Sequence, residues 1–186
     1  MKTSLLGRIA MAAVMVAGGA LAANKTNANV PQTGEQLVQS VRHEVAMYPY
    51  YSIFDDVSFH VINGQVELAG DVTQPFKKSD IGNIVAKVPG VTSVTNDIKV
   101  LPLSDFDSRL RLQVARAIFS DPTMSQIATE PVPSIHIIVD NGHVTLTGVV
   151  STEMQKTVAG LRANGAGLSF GTVTNNLVVE NPAKKS

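Results

Sequence analysis

The chain writes one pattern twice. Asn63-Gly64-Gln65-Val66-Glu67-Leu68-Ala69-Gly70 lies over Asn141-Gly142-His143-Val144-Thr145-Leu146-Thr147-Gly148, so that N-G-x-V-x-L-x-G recurs with five fixed and three free positions. Downstream, Val94-Thr95-Asn96-Asp97-Ile98-Lys99-Val100 matches Val173-Thr174-Asn175-Asn176-Leu177-Val178-Val179. Upstream, Leu37, Val41, Val45 and Pro49 match Leu110, Val114, Ile118 and Pro122. Three matched blocks in one order mean a duplicated unit. Two copies are too few for a solenoid, which needs at least about three, so the repeat predicts two small units in tandem.

Each copy reads as α-β-β-α-β. Leu37, Val41, Val45 and Tyr48 recur at helical spacing on one face, with Thr33 and Gln36 placed as a capping box and Ser104 and Asp107 offering caps in the second copy. Pro49 and Pro122 close these helices. Val57–Val61 and Ile135–Val139 then read as strands. The Asn-Gly pairs at 63–64 and 141–142 predict tight hairpins, because both residues accept a positive φ. The return strands alternate Val66, Leu68 and Val144, Leu146, and end at Gly70 and Gly148. Pro75 opens a second helix in copy one and Ser151 or Thr152 caps it in copy two. A last strand follows, parallel to its neighbour because a β-α-β crossover demands it. The expected fold is therefore α+β: two repeated units, each a small mixed three-stranded sheet with two helices packed on one face. A unit of this size has a marginal core alone, and the link Leu101-Pro102-Leu103-Ser104 is short, so mutual packing is expected.

The chain's start reads as an export signal. Lys2 and Arg8 form a basic n-region, an apolar run extends from Ile9 to Gly19, and Ala20-Leu21-Ala22 supplies an A-x-A cleavage site before Ala23. The run is shorter than the roughly 20 residues that span a bilayer. The predicted organisation is a signal peptide at 1–22, a flexible segment at 23–32, repeat one at 33–101, repeat two at 104–181 and a tail at 182–186, in a soluble product of the periplasm.

Composition narrows the chemistry. There is no cysteine, which excludes disulfides and thiolate catalysis. The chain carries 15 basic and 15 acidic residues, and losing Lys2 and Arg8 leaves an excess of two acids. That is not the basic footprint of a nucleic-acid binder. Tryptophan is absent too, so base-stacking platforms are scarce.

The arrangement resembles the BON domain, a family of bacterial osmotically inducible periplasmic proteins and related envelope proteins. The likeness rests on Asn63 through Gly70, on Pro89-Gly90-Val91 with Val94-Thr95-Asn96, and on their counterparts in copy two; the family's hallmark glycine falls at Gly70 and Gly148. Copy two departs from the pattern between Gly165 and Gly171. The resemblance implies binding to phospholipid or protein at the envelope, a role in envelope integrity or osmotic stress, and no catalysis.

Catalytic motifs are weak. Gly167-Leu168-Ser169-Phe170-Gly171 fits G-x-S-x-G, but a helix precedes it and a strand follows, the inverse of a nucleophile elbow. His43, His60, His136 and His143 lack metal-ligand spacing. Asp55-Asp56 reads as a loop cap. No catalytic residue, metal or cofactor is expected. Gly64, Gly70, Gly142 and Gly148 read as turn glycines.

The first helix of copy two is different. At 100° per residue, Leu110, Val114, Ala117 and Ile118 share one face, while Arg109, Leu112, Arg116 and Phe119 gather on the other. Arginines beside apolar side chains suit an anionic bilayer surface, where cations meet headgroups and apolar groups enter the boundary. The same face equally suits packing against repeat one. Lys77 and Lys78, at the start of a helix where cations oppose the dipole, read as a weaker anion-facing pair or a solubilising one. The expected partner is an anionic phospholipid surface, with an envelope protein or unfolded client as the rival.

Overall fold

The computed structural model describes residues 34–130, 133–166 and 171–180. The stretches read from the sequence as signal peptide with its cleavage site, as linking segment and as tail lie outside them, as do Thr33 and Pro131.

Both units have the expected order. In repeat one, α1 (Gly34–Ala46) leads to β1 (Asp56–Ile62), β2 (Gln65–Val72), α2 (Pro75–Ala86), β3 (Ser93–Asn96) and β4 (Lys99–Val100). β1 pairs antiparallel with β2, and β3 and β4 both pair parallel with β2. Repeat two has α3 (Asp105–Phe119), β5 (Ile135–Asp140), β6 (His143–Val150), α5 (Glu153–Asn164), β7 (Val173–Asn175) and β8 (Val178–Val179), paired in the same way. The segment before β5 is not bare loop: it holds a 3₁₀ turn (Pro122–Met124) and the short helix α4 (Ser125–Ala128), whose Met124 and Ile127 are buried in the core.

The third strand of each sheet is one strand interrupted, which the sequence pattern does not show. Asn96 Oδ1 accepts from the Ile98 N–H and its Nδ2 donates to the Lys78 carbonyl on α2 at 2.8 Å. Asn175 repeats both bonds, to Leu177 and to the Lys156 carbonyl on α5. Each asparagine thus clips the last strand to the second helix. Gly82 and Gly160 make room for it: a β-carbon there would sit 2.6 and 2.8 Å from the asparagine amide nitrogen.

The hairpins are tight because Asn63 and Asn141 hold φ 50°, followed by Gly64 and Gly142 at φ 81°. Each unit has its own core. Leu37, Val41, Val66, Leu68, Ile81, Val85 and Ile98 fill the first; Leu110, Val114, Ile118, Ile137, Leu146, Ala159 and Leu177 fill the second.

The units are joined by more than the linker. The stretch between α1 and β1 reaches repeat two, where Ile53 and Phe54 pack against the second core. The Ile137 N–H on β5 donates to the Ile53 carbonyl at 2.7 Å. His136 Nδ1 lies 2.6 Å from the Asp55 carbonyl oxygen, its ring beside Tyr51. An exposed Lys99–Asp140 ion pair at 2.6 Å adds a solvated contact that water and salt screen.

Candidate functional site: the outer face of α3

α3 is built to be stable while offering a face to solvent. Ser104 caps it by accepting from the Asp107 N–H. Asp105 and Asp107 occupy the first turn and Arg116 the last, the charge order a helix dipole favours. Leu110, Val114 and Ile118 are 2 %, 0 % and 0 % exposed. Asp107 anchors the helix to the hairpin of its own sheet, accepting from the Asn141 and Gly142 N–H groups at 3.0 and 2.8 Å. Arg111 is buried beside it and donates to the Val139 carbonyl at 2.8 Å.

On the opposite side Arg109, Leu112 and Arg116 are all exposed. Neither arginine makes an ion pair among the described residues. Leu112 keeps 49 % of its surface in solvent, so repeat one does not cover it. Phe119 is half-buried and packs against the core of its own repeat. It borders the face rather than standing on it. The structure brings two guanidinium groups and one large aliphatic side chain onto a single rigid, solvent-facing helix surface.

Lys77 is a correction. It is not a surface cation: its Nζ lies 2.6 Å from Asp55 Oδ2, and the two side chains are 8 % and 0 % exposed. Asp55 is accordingly no solvated loop cap. It also accepts from the Ser52 N–H and Oγ and from the Thr73 N–H and Oγ1. Burial pushes the Asp55 carboxyl up; the Lys77 hydrogen bond, the Ser52 and Thr73 donors and the Lys77 charge outweigh it and hold it below the usual carboxylate range. Lys78 stays half-exposed. In repeat two the conspicuous carboxylate is Asp121, held down to about 2 by the Thr123 N–H and hydroxyl and by Arg162 on α5.

The histidines are scattered among the described residues. His43, His60 and His143 are exposed, on α1, β1 and β6, and no three histidines or carboxylates form a metal-sized group among the described residues. The open groove between α1 and α2 is lined by His43, Glu44, Ile84, Lys87 and Val88. Gly167–Phe170 of the G-x-S-x-G stretch lie outside the described residues. No helix among the described residues is long and apolar enough to cross a membrane.

A duplicated α-β-β-α-β scaffold with two small cores defines a tandem α+β protein. The chain belongs to the BON domain family: the family model matches residues 33–102 and 107–181. BON domains are generally non-catalytic modules of proteins that are periplasmic or envelope-associated. No curated protein matches the chain. Two solved structures are similar, both of CdsD, a structural protein of the type III secretion system of Chlamydia trachomatis. The first is 16 % identical with a TM-score of 0.28, covering 80 % of this chain and 93 % of that one. The second, its C-terminal domain, has the same identity and TM-score, covering 78 % and 98 %.

Proposed function

We propose that the chain is a non-catalytic periplasmic module that docks on anionic phospholipid surfaces through α3, in support of envelope integrity or the response to osmotic stress. The observation that carries this reading is the exposure of Arg109, Leu112 and Arg116 together, on the side of α3 opposite its buried residues. Each cation contributes about 1 kcal/mol near an anionic bilayer. Burying the exposed half of Leu112 adds about 1 kcal/mol more. The sum is weak, reversible attachment, screened as the Debye length shrinks to about 3 Å at 1 M salt.

The test is co-sedimentation with phosphatidylglycerol-containing vesicles at low and high salt, beside phosphatidylcholine vesicles. The parent chain binds the anionic vesicles at low salt only. Arg109→Glu with Arg116→Glu replaces two attractions by two repulsions of about 1 kcal/mol each, a loss of at least about 100-fold. Both side chains are exposed, so circular dichroism of the variant matches the parent. Equal sedimentation of parent and variant would remove α3 from the site.

A further inference from the structure

We infer that repeat two docks on repeat one of a second copy of the chain, head to tail, through Val149 and Val178 on one copy and Ile62 on the other. This does not rest on the membrane reading. It comes from comparing the joint inside the chain with the matching surfaces that the joint leaves over.

Inside the chain, one end of the first sheet meets the second hairpin. Asp71 on β2 stands beside Lys99 on β4 in the parallel register. Lys99 Nζ donates to Asp140 Oδ2 at 2.6 Å, just before the Asn141-Gly142 turn. Burial pushes the Asp71 carboxyl up; the Lys99 charge opposes that, and the charges of Asp140 and Asp56 add to it. Asp71, Lys99 and Asp140 thus form one charged group across the joint.

A duplicated chain holds each of these positions twice. In repeat two, Val149 on β6 stands beside Val178 on β8, in the places of Asp71 and Lys99. In repeat one, Ile62 precedes the Asn63-Gly64 turn and pairs with Gln65, as Asp140 pairs with His143. Each charged member of the joint therefore has an aliphatic counterpart. All of these counterparts face solvent: Val149 is 47 % exposed, Val178 60 % and Ile62 56 %. The exchange is concerted, so the leftover end and the leftover hairpin match each other as the charged pair does. It also runs the other way. Leu101 and Ile138 are buried without belonging to either core. Their counterparts Glu180 and His60 are exposed, a carboxylate and an imidazole. Glu180 is fixed by its N–H bond to the Val150 carbonyl, as Leu101 is by its bond to the Val72 carbonyl.

The occupant follows from this match. The surface that suits Val149 and Val178 is the hairpin of repeat one, which the same chain carries. Both halves stay exposed within one molecule, so they meet between two. Wrong pairings are penalised: Val178 on Asp140, or Ile62 on Lys99, would cover a charge without a partner. The joint inside the chain is therefore not displaced. The rest of that joint is not repeated. Where repeat one sends out Ile53 and Phe54, repeat two buries Met124 and Ile127 in its own core. The contact between copies is correspondingly small, half-formed on the order of 0.1–1 mM. Unlike surfaces meet in it, so it propagates as an open chain of molecules or closes into a ring.

The experiment is sedimentation velocity of the full chain, without lipid, at rising concentration. The parent's weight-average sedimentation coefficient climbs toward about 1 mM. Val178→Lys and Ile62→Asp each install the residue that the sister repeat carries at that position, on an exposed side chain, so circular dichroism matches the parent. Each variant alone associates at least about 10-fold more weakly, because a charge is set against an apolar patch. Mixed in equal amounts they associate again, the intact Val178 of one on the intact Ile62 of the other. Should Val178→Lys disturb the fold, Val149→Asp copies Asp71 and reads the same end. The proposal is overturned by a parent coefficient that stays flat to about 1 mM, or by either variant associating as the parent does. A mixture that stays monomeric overturns it too, since that outcome means both positions lie in one self-complementary patch.

Discussion

Gly70→Ala and Gly148→Ala each cost about 3 kcal/mol or more, the largest effect expected of any single methyl group in this chain. The two glycines hold φ +116° and +110°, a region left almost wholly to glycine. Space is missing as well as freedom. A β-carbon at Gly70 falls onto the Asp56 carbonyl oxygen, and one at Gly148 onto the Ser134 carbonyl oxygen. Those carbonyls belong to the segments paired alongside, Gly70 facing Val57 and Gly148 facing Ile135. No rotamer relieves a clash between Cβ and backbone, so the strands must part at the open end of each hairpin, away from its turn. Urea unfolding followed by circular dichroism reads the outcome. With a slope of about 1–3 kcal/mol/M, the transition of the altered repeat moves down by about 1 M or more. Gly34→Ala is the control: it opens α1 with nothing within 4 Å of an added β-carbon, and changes stability by less than about 1 kcal/mol in the stabilising direction. A Gly70→Ala midpoint within experimental error of the parent would show that the repeat tolerates a side chain there.

The hairpin glycines Gly64 and Gly142 were legible in the sequence because a turn leaves a local mark, whereas Gly70 and Gly148, read as turn glycines that end a strand, sit inside β2 and β6 and pair with β1 and β5. Asn-Gly at both hairpins announces positive φ, and a period near 3.6 in Leu110, Val114 and Ile118 announces which side of α3 is buried. The outward position of Arg109, Leu112 and Arg116 follows from the same arithmetic. Phe119, at the edge of that arc, falls half inside the core, because a helical wheel gives direction and not the width of the neighbour. What the sequence hid is long-range pairing. Lys77 and Asp55 are 22 residues apart and each looks like an ordinary surface charge until the fold brings them together. Arg111 reads as one more arginine on a charged helix, though β5 buries it. Asn96 and Asn175 recur in the repeat and were visible as a match, but not as clips that break the last strand. The apolar pair Ile53–Phe54 sits in what reads as loop, with nothing in its own repeat to bury it. That mismatch was the available signal for the contact between the units.

Asp55→Ala is expected to destabilise the protein by about 3–5 kcal/mol, since removing one partner of a buried pair strands the other charge. Lys77, with its side chain 8 % exposed, would keep only the Thr73 hydroxyl at 2.9 Å. The loss is not confined to repeat one. The carboxylate gathers Ser52, Thr73 and Lys77 around the same short stretch whose Ile53 and Asp55 carbonyls meet repeat two. Loosening that stretch frees the Ile137 N–H, so its hydrogen exchange should accelerate along with the fall in stability. Replacing both charges, as in Asp55→Leu with Lys77→Met, restores part of the loss, because an apolar pair of similar volume is often as stable as a buried ion pair; a double-mutant cycle measures the coupling. The pH dependence has a definite sign. The Asp55 carboxyl is lower in the folded chain than in the unfolded one. Its contribution is therefore complete above the ordinary aspartate value of about 3.9 and fades as pH falls toward the folded value. Parent stability drops below about pH 4, and Asp55→Asn, with nothing to protonate, flattens that part of the curve. Asp55→Ala within about 1 kcal/mol of the parent, with Ile137 exchange unchanged, would mean that the pair neither holds the loop nor couples the repeats.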